Sequence, residues 1–408
     1  MALGVTLGWP PEALGQSPAS WDGAEVGRWA ARHHPDVRAA MAALDVARAG
    51  RVFGQVPVVG NPILGVLMLP GYPDFGAYTM TASLGIPLDV SGRRSRYRAE
   101  VGHDIAAAEA RLDAVRSRAA SEARQAYVDL VTTRSEVDIQ RARLAAAESI
   151  EAVVRARVDA GAATAVDQAL VERERAEAEA DLAEANRRRT AADGALRRTL
   201  DLTPTEALPL SPLERPTPLS PVERTQAGPR AQRQRRDVSA LERGAARWVA
   251  SDDRLRAGAI APLVLGLEGQ QVATSSNDLG SSLGASVRWE LPLAQRAQGE
   301  RAVAQAEASG LRVQAVLLRR QVDRDVATAA EGLDAALAEL DALTGRALPA
   351  AERLVAATEA SWAAGALDIF RVLTARRDLL SVRARILTAT RASWRARIEY
   401  DRAMGQTP

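Results

Sequence analysis

The chain has 408 residues, of which 47% are hydrophobic and only 4% aromatic, and its formal net charge is +2. Apolar content that comes mostly from alanine, leucine and valine favours long helices over a large aromatic core. The balanced charge argues against a nucleic-acid-binding protein. The absence of cysteine excludes disulfides, thiolate metal sites and an acylated cysteine.

The first 33 residues are predicted to precede the repeated part of the chain. Met1 to Trp9 is apolar but short, and Gln16 to Ser20 loosely resembles the small-residue region before a signal-peptide cleavage site. We interpret residues 1–33 as an N-terminal segment, for which a signal-peptide remnant is one reading. No stretch of 18 or more apolar residues occurs, so no transmembrane helix is predicted.

A first structural repeat is predicted over residues 34–202. It opens with a short helix that begins near Asp36, a candidate N-cap residue. A β-hairpin over 61–88 follows, and then a helical hairpin over 93–200. The first helix of that hairpin lacks proline from Arg93 to Asp159, and at about 1.5 Å per residue it would reach roughly 100 Å.

The second strand of this repeat, Tyr78–Leu88, alternates strictly between apolar side chains and small or polar ones. Average strands have 5–6 residues, whereas a strand that crosses a bilayer needs roughly 9–11. One apolar face and one polar face match a barrel wall with lipid outside and water inside. A soluble antiparallel sheet with one wet face alternates equally well, so the strands by themselves favour neither interpretation.

A second repeat is predicted over 236–408, after a proline-rich linker at 203–235 that is expected to be irregular. It contains a helix, a β-hairpin at 262–293 and a helical hairpin at 299–404. Its last strand is expected to alternate from Leu283 to Leu293. Gly161 and Gly365 are 204 residues apart and mark corresponding turns. A repeat of this size is a duplicated half-protein rather than a solenoid unit.

The strands have a consequence for assembly if they span a membrane. A bilayer-spanning sheet cannot leave an edge, because unpaired backbone groups find no water there. Four strands are too few to close around a polar lumen, since even eight leave room only for side chains. Several protomers would therefore share one barrel, and the long helices would extend it as a tube.

From about Pro35 to Gly405 the chain resembles the TolC-like outer-membrane efflux family. The elements that carry the likeness are His-Pro-Asp-Val-Arg-Ala-Ala at 34–40, Ile-Pro-Leu-Asp-Val-Ser-Gly-Arg-Arg at 86–94, Gly161 with Val166-Asp167, Gly365 with Leu367-Asp368, and Tyr400 to Gly405. The resemblance implies a mainly α-helical chain with membrane β-structure. Its duplicated long helical hairpins and four transmembrane strands would assemble as a trimeric 12-stranded β-barrel continued by an α-helical barrel.

The same resemblance implies a homotrimer in the outer membrane of a Gram-negative bacterium, in contact with outer-membrane lipid and with a periplasmic helical extension. It would be a passive exit duct for small molecules or metal ions, joined to a periplasmic adaptor and fed by an inner-membrane transporter. The short chain is most similar to the heavy-metal efflux branch. The alternatives are a type I secretion duct and a soluble periplasmic coiled-coil scaffold without channel activity.

The candidate site residues follow from this interpretation. Gly161, Asp167, Gly365 and Asp368 lie at the helical tips, where the glycines suit a tight turn or C-cap and the carboxylates suit the first turn of the returning helix. The presence of these residues has two alternative explanations. They serve only to form the turns of the helical hairpins, or, as the resemblance implies, they take part in adaptor docking and pore closure at the periplasmic end. In the barrel, pore-lining residues would be Thr79, Thr81, Ser83, Arg288 and Glu290. Lipid-facing residues would be Tyr78, Leu84, Val287 and Trp289.

No catalytic motif is recognisable in the sequence. His33 and His34 are adjacent and therefore on different helix faces, and His103 is remote, so no converging metal ligands are predicted. Walker loops, nucleophile elbows and HExxH motifs are absent. The chain is predicted not to be an enzyme and to use no cofactor, metal or nucleic-acid partner.

Overall fold

The computed structural model describes residues 20–52, 60–70, 77–273, 279–291 and 293–406. The predicted loops at the hairpin ends lie outside these residues, apart from Pro70. The helices are α1 Gly23–His33, α2 Pro35–Ala49, α3 Arg93–Asp159, α4 Ala165–Leu200, α5 Pro221–Gln234, α6 Arg236–Gly258, α7 Gln298–Ala342, α8 Leu348–Ala363 and α9 Ile369–Ala403. The strands are β1 Ile63–Pro70, β2 Tyr78–Leu88, β3 Leu263–Ala273 and β4 Leu279–Arg288. Within the described residues, no helix is both long enough and apolar enough to cross a membrane.

The chain forms two compact units, and each contains segments of both predicted repeats. One unit comprises the described residues up to Val37, 116–231 and the described residues from Asp325 onward. The other comprises the described residues of 38–115 and 232–324. The predicted fold class, duplicated long helical hairpins with four strands, is confirmed, but the two halves of the sequence are not separate compact units.

The second unit contains one antiparallel sheet with the order β1-β2-β3-β4. Strand β2 has the predicted bounds, and β3 pairs with it over its whole length, from Tyr78 opposite Ala273 to Leu88 opposite Leu263. The contact between β2 and β3 joins the two predicted hairpins into a single sheet. Strands β1 and β4 are its edges.

The prediction for the fourth strand is wrong in its bounds. Strand β4 begins at Leu279 and ends at Arg288, so Trp289 and Glu290 follow the strand instead of lying in it. The end of β4 follows from its pairing with β3. Arg288 lies opposite Val264, which is only one residue from the first residue of β3, Leu263. The first residues of β4 were not predicted because Gly280, Ser281 and Ser282 do not alternate between apolar and polar side chains.

The second long helical segment contains one more residue than the first. Buried Leu130 of α3 and buried Leu333 of α7 are 203 residues apart, whereas Gly161 and Gly365 are 204 apart. A five-residue π-helical segment, Leu343–Ala347, lies between these positions, just before Pro349. Proline cannot donate the helical hydrogen bond and crowds the preceding turn, and a π-bulge accommodates an inserted residue there.

The first unit has its core where α1 and the linker meet the long helices. The buried residues of this core are Trp21, Val26, Ala30, Ala123, Tyr127, Val128, Leu130, Leu196, Leu200, Leu208 and Ile398. The Trp21 N–H donates to the Pro209 carbonyl at 2.8 Å, and the Ser211 N–H donates to the Trp21 carbonyl at 2.9 Å. Residues 20–33 are therefore part of the folded unit, which corrects the prediction of a separate N-terminal segment for that stretch.

Part of the linker predicted to be irregular is helical. Helix α5 begins at Pro221, and Ser220 and Glu223 form a reciprocal cap, with the Glu223 N–H bonded to Ser220 Oγ at 3.2 Å and the Ser220 N–H bonded to Glu223 Oε2 at 2.8 Å. Proline at the first helical position and a Ser-x-x-Glu box both mark a helix start. Proline content alone therefore predicted irregular structure where a helix forms. Helix α2 likewise begins at Pro35, so Asp36 lies in its first turn and not at the N-cap.

Candidate functional site

Both helical hairpins turn through the same backbone motif. At the first tip, Gly161 has φ +70°, its N–H donates to the Val158 carbonyl at 2.9 Å, and the Ala162 N–H donates to the Arg157 carbonyl at 2.7 Å. At the second, Gly365 has φ +73°, and Gly365 and Ala366 repeat the two bonds at 2.9 Å each, to Trp362 and Ser361. Each turn is a Schellman C-cap with glycine in the left-handed position.

The returning helices begin with different caps. At α4, Thr164 and Asp167 form a capping box, and the bonds from the Thr164 N–H and hydroxyl keep the pKa of Asp167 below its usual range. At α9, Asp368 is itself the N-cap and accepts from the Phe370 N–H at 3.0 Å. Asp368 was predicted in the first turn and lies one position before it. Both carboxylates satisfy free N–H groups of a helix start.

The tips of the two hairpins pack on each other within the first unit. Val154 of α3, Val171 of α4 and Leu373 of α9 form a buried cluster, with Ile150, Val158, Leu170 and Ile369 packed around it. The Arg157 guanidinium lies 4.7 Å from the centre of the Trp362 ring, a cation–π contact between the hairpins. The four predicted tip residues therefore belong to one region of the molecule.

A buried carboxylate near the tips joins the hairpins, and no pattern in the sequence predicted it. The Glu174 side chain is 8% exposed and accepts from Arg143 of α3 at 3.0 Å and from Arg377 of α9. Burial lowers the pKa of Arg377, and the nearby cations Arg173 and Arg143 lower it further. Glu174 lies in the run Glu-Arg-Glu-Arg, which reads like a solvated helix face, so only packing distinguishes it from its neighbours.

The register of the sheet separates the predicted pore-lining and lipid-facing residues. Cross-strand partners lie on the same face of a sheet. Thr81 of β2 lies opposite Gln270, which lies opposite Ser282, whereas Leu84 lies opposite Leu267, which lies opposite Ala285. Following these pairings along the strands, Thr79, Thr81, Ser83 and Arg288 share one face, and Tyr78, Leu84 and Val287 share the other.

On β2 the apolar face is the more exposed one, whereas on β1 both faces carry exposed apolar side chains, with Leu67 and Leu69 on the same face as Thr81 and Thr79. On β2, Met80 and Leu84 are 40% and 45% exposed, whereas Thr79, Thr81 and Ser83 are half-buried. The exposed face continues onto the neighbouring strands through Leu64, Val66, Met68, Leu265, Leu267, Leu283 and Val287. An apolar surface of this size on a protein marks contact with another protein or with lipid.

The junction from β2 into α3 depends on Asp89, which sequence reasoning did not single out. Its carboxylate accepts from the backbone N–H groups of Ser91, Arg93 and Arg94 at 3.1, 3.1 and 2.9 Å. The N–H groups of Arg93 and Arg94 are free donors at the start of α3. At the corresponding junction before α7, the Gln298 side chain accepts from the Arg296 N–H at 3.0 Å and donates to the Ala294 carbonyl at 2.8 Å. Side-chain bonds to the backbone therefore order the start of the long helix in both copies, with different residues.

In the described part of the chain, no group of three or more histidine, aspartate or glutamate residues is arranged to hold a metal ion. His33 Nδ1 lies 3.1 Å from the Trp29 carbonyl oxygen, and the His34 ring contacts Asp36. The geometry of the described residues thus offers turns, packed helical tips and a two-faced sheet as its functional features.

Replacing the turn glycines is expected to destabilise the tips. Among the described residues, nothing beyond the adjoining chain lies within 4 Å of a side chain added at Gly161 or Gly365, so the whole cost comes from the left-handed backbone. That cost is about 1–2 kcal/mol for each alanine substitution. The matched control is Gly102→Ala, in the interior of α3 with equally open surroundings, which should stabilise by about 0.5–1 kcal/mol. Thermal unfolding of the three single variants measures both effects, and equal behaviour of all three would contradict the role of the turns.

Comparison with known proteins gives a family and a set of similar structures. Residues 72–201 match the family model described as outer membrane efflux protein. No curated relative matches the sequence. The chain is similar in structure to CusC, at 17% identity and a TM-score of 0.71 over 97% of this chain and 96% of that one. It is similar to the Neisseria gonorrhoeae MtrE outer membrane channel, at 17% identity and 0.72 over 94% and 89%. It is also similar to the Vibrio cholerae outer membrane protein VceC, at 17% identity and 0.69 over 93% and 95%.

Proposed function

We propose that this chain is a member of the outer membrane efflux protein family, whose model matches residues 72–201, and that it is the outer-membrane channel subunit of a tripartite efflux pump. It forms a passive exit duct for small molecules or metal ions. The energy for transport comes from an inner-membrane transporter, and a periplasmic adaptor joins the two. The protein acts by opening and closing a path and not by catalysis.

One observation carries this proposal, namely that on β2, a central strand of the sheet, the apolar face is exposed and the polar face is half-buried. A soluble scaffold would bury the apolar face against its helices and leave the polar face in water. A membrane barrel has the reverse arrangement, with an apolar band outside and a polar interior. Tyr78, Leu84 and Val287 then face lipid, and Thr79, Thr81, Ser83 and Arg288 face the lumen.

The edges of the sheet support assembly of several copies. Strands β1 and β4 each pair on one side only within the sheet, and an open edge is not tolerated in a bilayer. Because the strands alternate in direction, β1 and β4 are antiparallel to each other, so β1 of one chain can pair with β4 of the next. Three copies of four strands give a 12-stranded barrel with no edge, wide enough for a lumen.

The helical tips are the docking end in this proposal. Gly161 and Gly365 set the two turns, and Asp167 and Asp368 cap the returning helices, so all four hold the shape of the surface that an adaptor meets. The Glu174 network and the tip cluster hold the two hairpins together, as a closed periplasmic end requires. Opening would separate the hairpins at these contacts.

The test is purification from a membrane fraction followed by recording in planar bilayers. We expect the protein to require detergent, to behave as a trimer in light scattering, and to give discrete single-channel currents. A protein that is released as a monomer from cells without detergent, and that gives no currents, would instead establish the soluble scaffold. The matched recording sample is the same preparation after heat dissociation, which should lose the currents.

A further inference from the structure

All four junctions between strands and helices lie at one end of the sheet. Strands β1 and β3 begin, and β2 and β4 end, within a few residues of the pair Leu88 and Leu263. The eleven residues of β2, at about 3.3 Å each, span roughly 36 Å, and a strand tilted by about 40° then crosses the apolar band of roughly 25 Å in a membrane barrel. The residues beyond these junctions therefore lie at the level of the lipid headgroups when the sheet spans a bilayer.

A groove of about 330 Å³ lies between α3 and α6 close to these junctions, and α7 contributes to one side of it. Its charged or titratable lining residues are Arg96 and His103 of α3, Asp253 of α6 and Arg312 of α7, and all of them belong to the second unit. Arg96 and His103 are two turns apart on one face of α3, which corresponds to about 10 Å along the helix. The groove is therefore long enough for a lipid headgroup and too long for a single small ion.

Positive charge exceeds negative charge in this groove. Arg96 Nη1 lies 3.8 Å from the Asp253 carboxylate, and both side chains are about half exposed, so this pair contributes little. Arg312 is exposed and forms no ion pair within the described part of the chain. Asp252 and Glu100, on the same two helices, each already pair with another arginine. Both lining guanidinium groups therefore keep most of their capacity to bind an anion.

Two further arginines lie between the groove and the sheet. Arg93, about one turn before Arg96, lies against the last turn of α6, where a side chain at Gly258 would meet its Nε at 3.6 Å. Arg256 follows Asp253 by three residues, on the same face of α6, and is exposed. Neither Arg93 nor Arg256 pairs with a carboxylate among the described residues. Four guanidinium groups thus line or border a groove that contains one carboxylate.

The uncharged part of the groove is apolar and continues towards the sheet. The uncharged lining residues are Ala99, Ala246, Val249 and Ala250. Val249 is 39% exposed, and Ile260, which directly follows α6, is 38% exposed. Ile260 precedes Leu263, which lies opposite Leu88 on the apolar face of the sheet. Exposed apolar side chains therefore lead from the groove onto the face that is proposed to contact lipid.

We propose that this groove binds the headgroup of a phospholipid with net negative charge, whose phosphate is held by the arginines and whose acyl chains run along the apolar face of the sheet. The inference rests on the proposed function, which places the groove at a membrane surface. Guanidinium groups bind phosphate oxygens through paired, charge-assisted hydrogen bonds, and each arginine near an anionic bilayer surface strengthens binding about fivefold. The apolar residues Val249 and Ile260 favour a lipid over dissolved phosphate, because a small ion gains nothing from contact with them.

Native mass spectrometry of the detergent-solubilised full chain tests the site with three probes at equal concentration. These are dioleoylphosphatidylglycerol, dioleoylglycerol, which lacks the phosphate, and glycerol 3-phosphate, which lacks the acyl chains. We expect the protein to retain phosphatidylglycerol and to retain little of the other two. Equal retention of dioleoylglycerol would show that only the acyl chains bind, and equal retention of glycerol 3-phosphate would show a site for dissolved phosphate. Either result would overturn the proposal.

Two pairs of substitutions locate the binding. Arg96→Gln with Arg312→Gln should weaken phosphatidylglycerol binding about tenfold or more, since two of the four arginines are removed. The matched control is Arg320→Gln with Arg385→Gln, which removes the same charge at two exposed arginines outside the groove and should keep the affinity of the parent protein. Equal losses in both variants would show attraction by net charge alone and would contradict the site.

The outcomes separate this inference from the proposed function. A trimer that gives single-channel currents but shows no preference for phosphatidylglycerol would overturn the headgroup site and leave the channel standing. A monomer that is released without detergent and gives no currents would overturn the proposed function, and the lipid site with it.

Discussion

Leu84→Arg is expected to prevent the protein from accumulating as a trimer in the outer membrane. Leu84 lies in the middle of β2 on the exposed apolar face, opposite Leu267 of β3. An arginine on the lipid-facing side of a membrane strand costs about 2–4 kcal/mol near the bilayer midplane, and the barrel would carry the substitution three times. Immunoblotting of unheated outer-membrane fractions measures the trimer directly.

The matched control is Ser83→Arg, one residue earlier and therefore at the same depth. Ser83 points to the polar face and lies opposite Glu268, so an arginine there gains an oppositely charged cross-strand neighbour. We expect Ser83→Arg to assemble and to alter ion selectivity in single-channel recordings. If both variants assembled equally well, the apolar face would not be in contact with lipid, and the assignment of the two faces would fail.

Glu174→Ala is expected to loosen the packing of the two helical tips. The substitution leaves Arg143 and Arg377 without the buried carboxylate that they share. Removing one partner of a buried ion pair costs about 3–5 kcal/mol. We expect the lower end, about 3 kcal/mol, because Arg377 is half-exposed and because Arg143 keeps Asp181 and Arg377 keeps Glu177 as partners. A lower thermal midpoint of the purified protein measures the loss. A higher single-channel conductance is expected as well, because this carboxylate joins the two hairpins.

Glu172→Ala provides the comparison for this effect. Glu172 is exposed on the same helix, two residues away, and bonds only within its own turn, to Gln168 at 2.9 Å. The two variants change the charge of the chain by the same amount. Glu172→Ala should therefore keep the thermal midpoint and conductance of the parent protein, and a matching loss in both variants would show that net charge, not the buried network, determines tip stability.

Several elements were predictable from sequence because their causes are local. The bounds of β2 follow from strict alternation over eleven residues, and those of α3 follow from the absence of proline between Arg93 and Asp159. The tip glycines were recognised because left-handed backbone favours glycine wherever a helix turns back. The family resemblance, which depends on the order of such elements, agrees with the family match over residues 72–201.

Other features depended on contacts between distant parts of the chain. The end of β4 is set by the start of β3, which is why Trp289 and Glu290 were wrongly included in the strand. Trp21 belongs to the core because linker carbonyl and N–H groups at Pro209 and Ser211 pair with its backbone. The sequence around β4 does not contain its pairing partner β3, and the sequence around Trp21 does not contain Pro209 and Ser211, so neither contact could be predicted locally.

The sequence by itself determined the duplication, the strand faces and the turns, since periodicity and backbone preference are properties of short segments. Only the tertiary structure decided which charged residue is buried, which strand ends where, and how the halves correspond. Glu174 illustrates the difference: it resembles Glu172 in sequence, and its burial arises because α3 and α9 both present an arginine to it. Such a network is fixed by the positions of three helices, and no single segment contains that information.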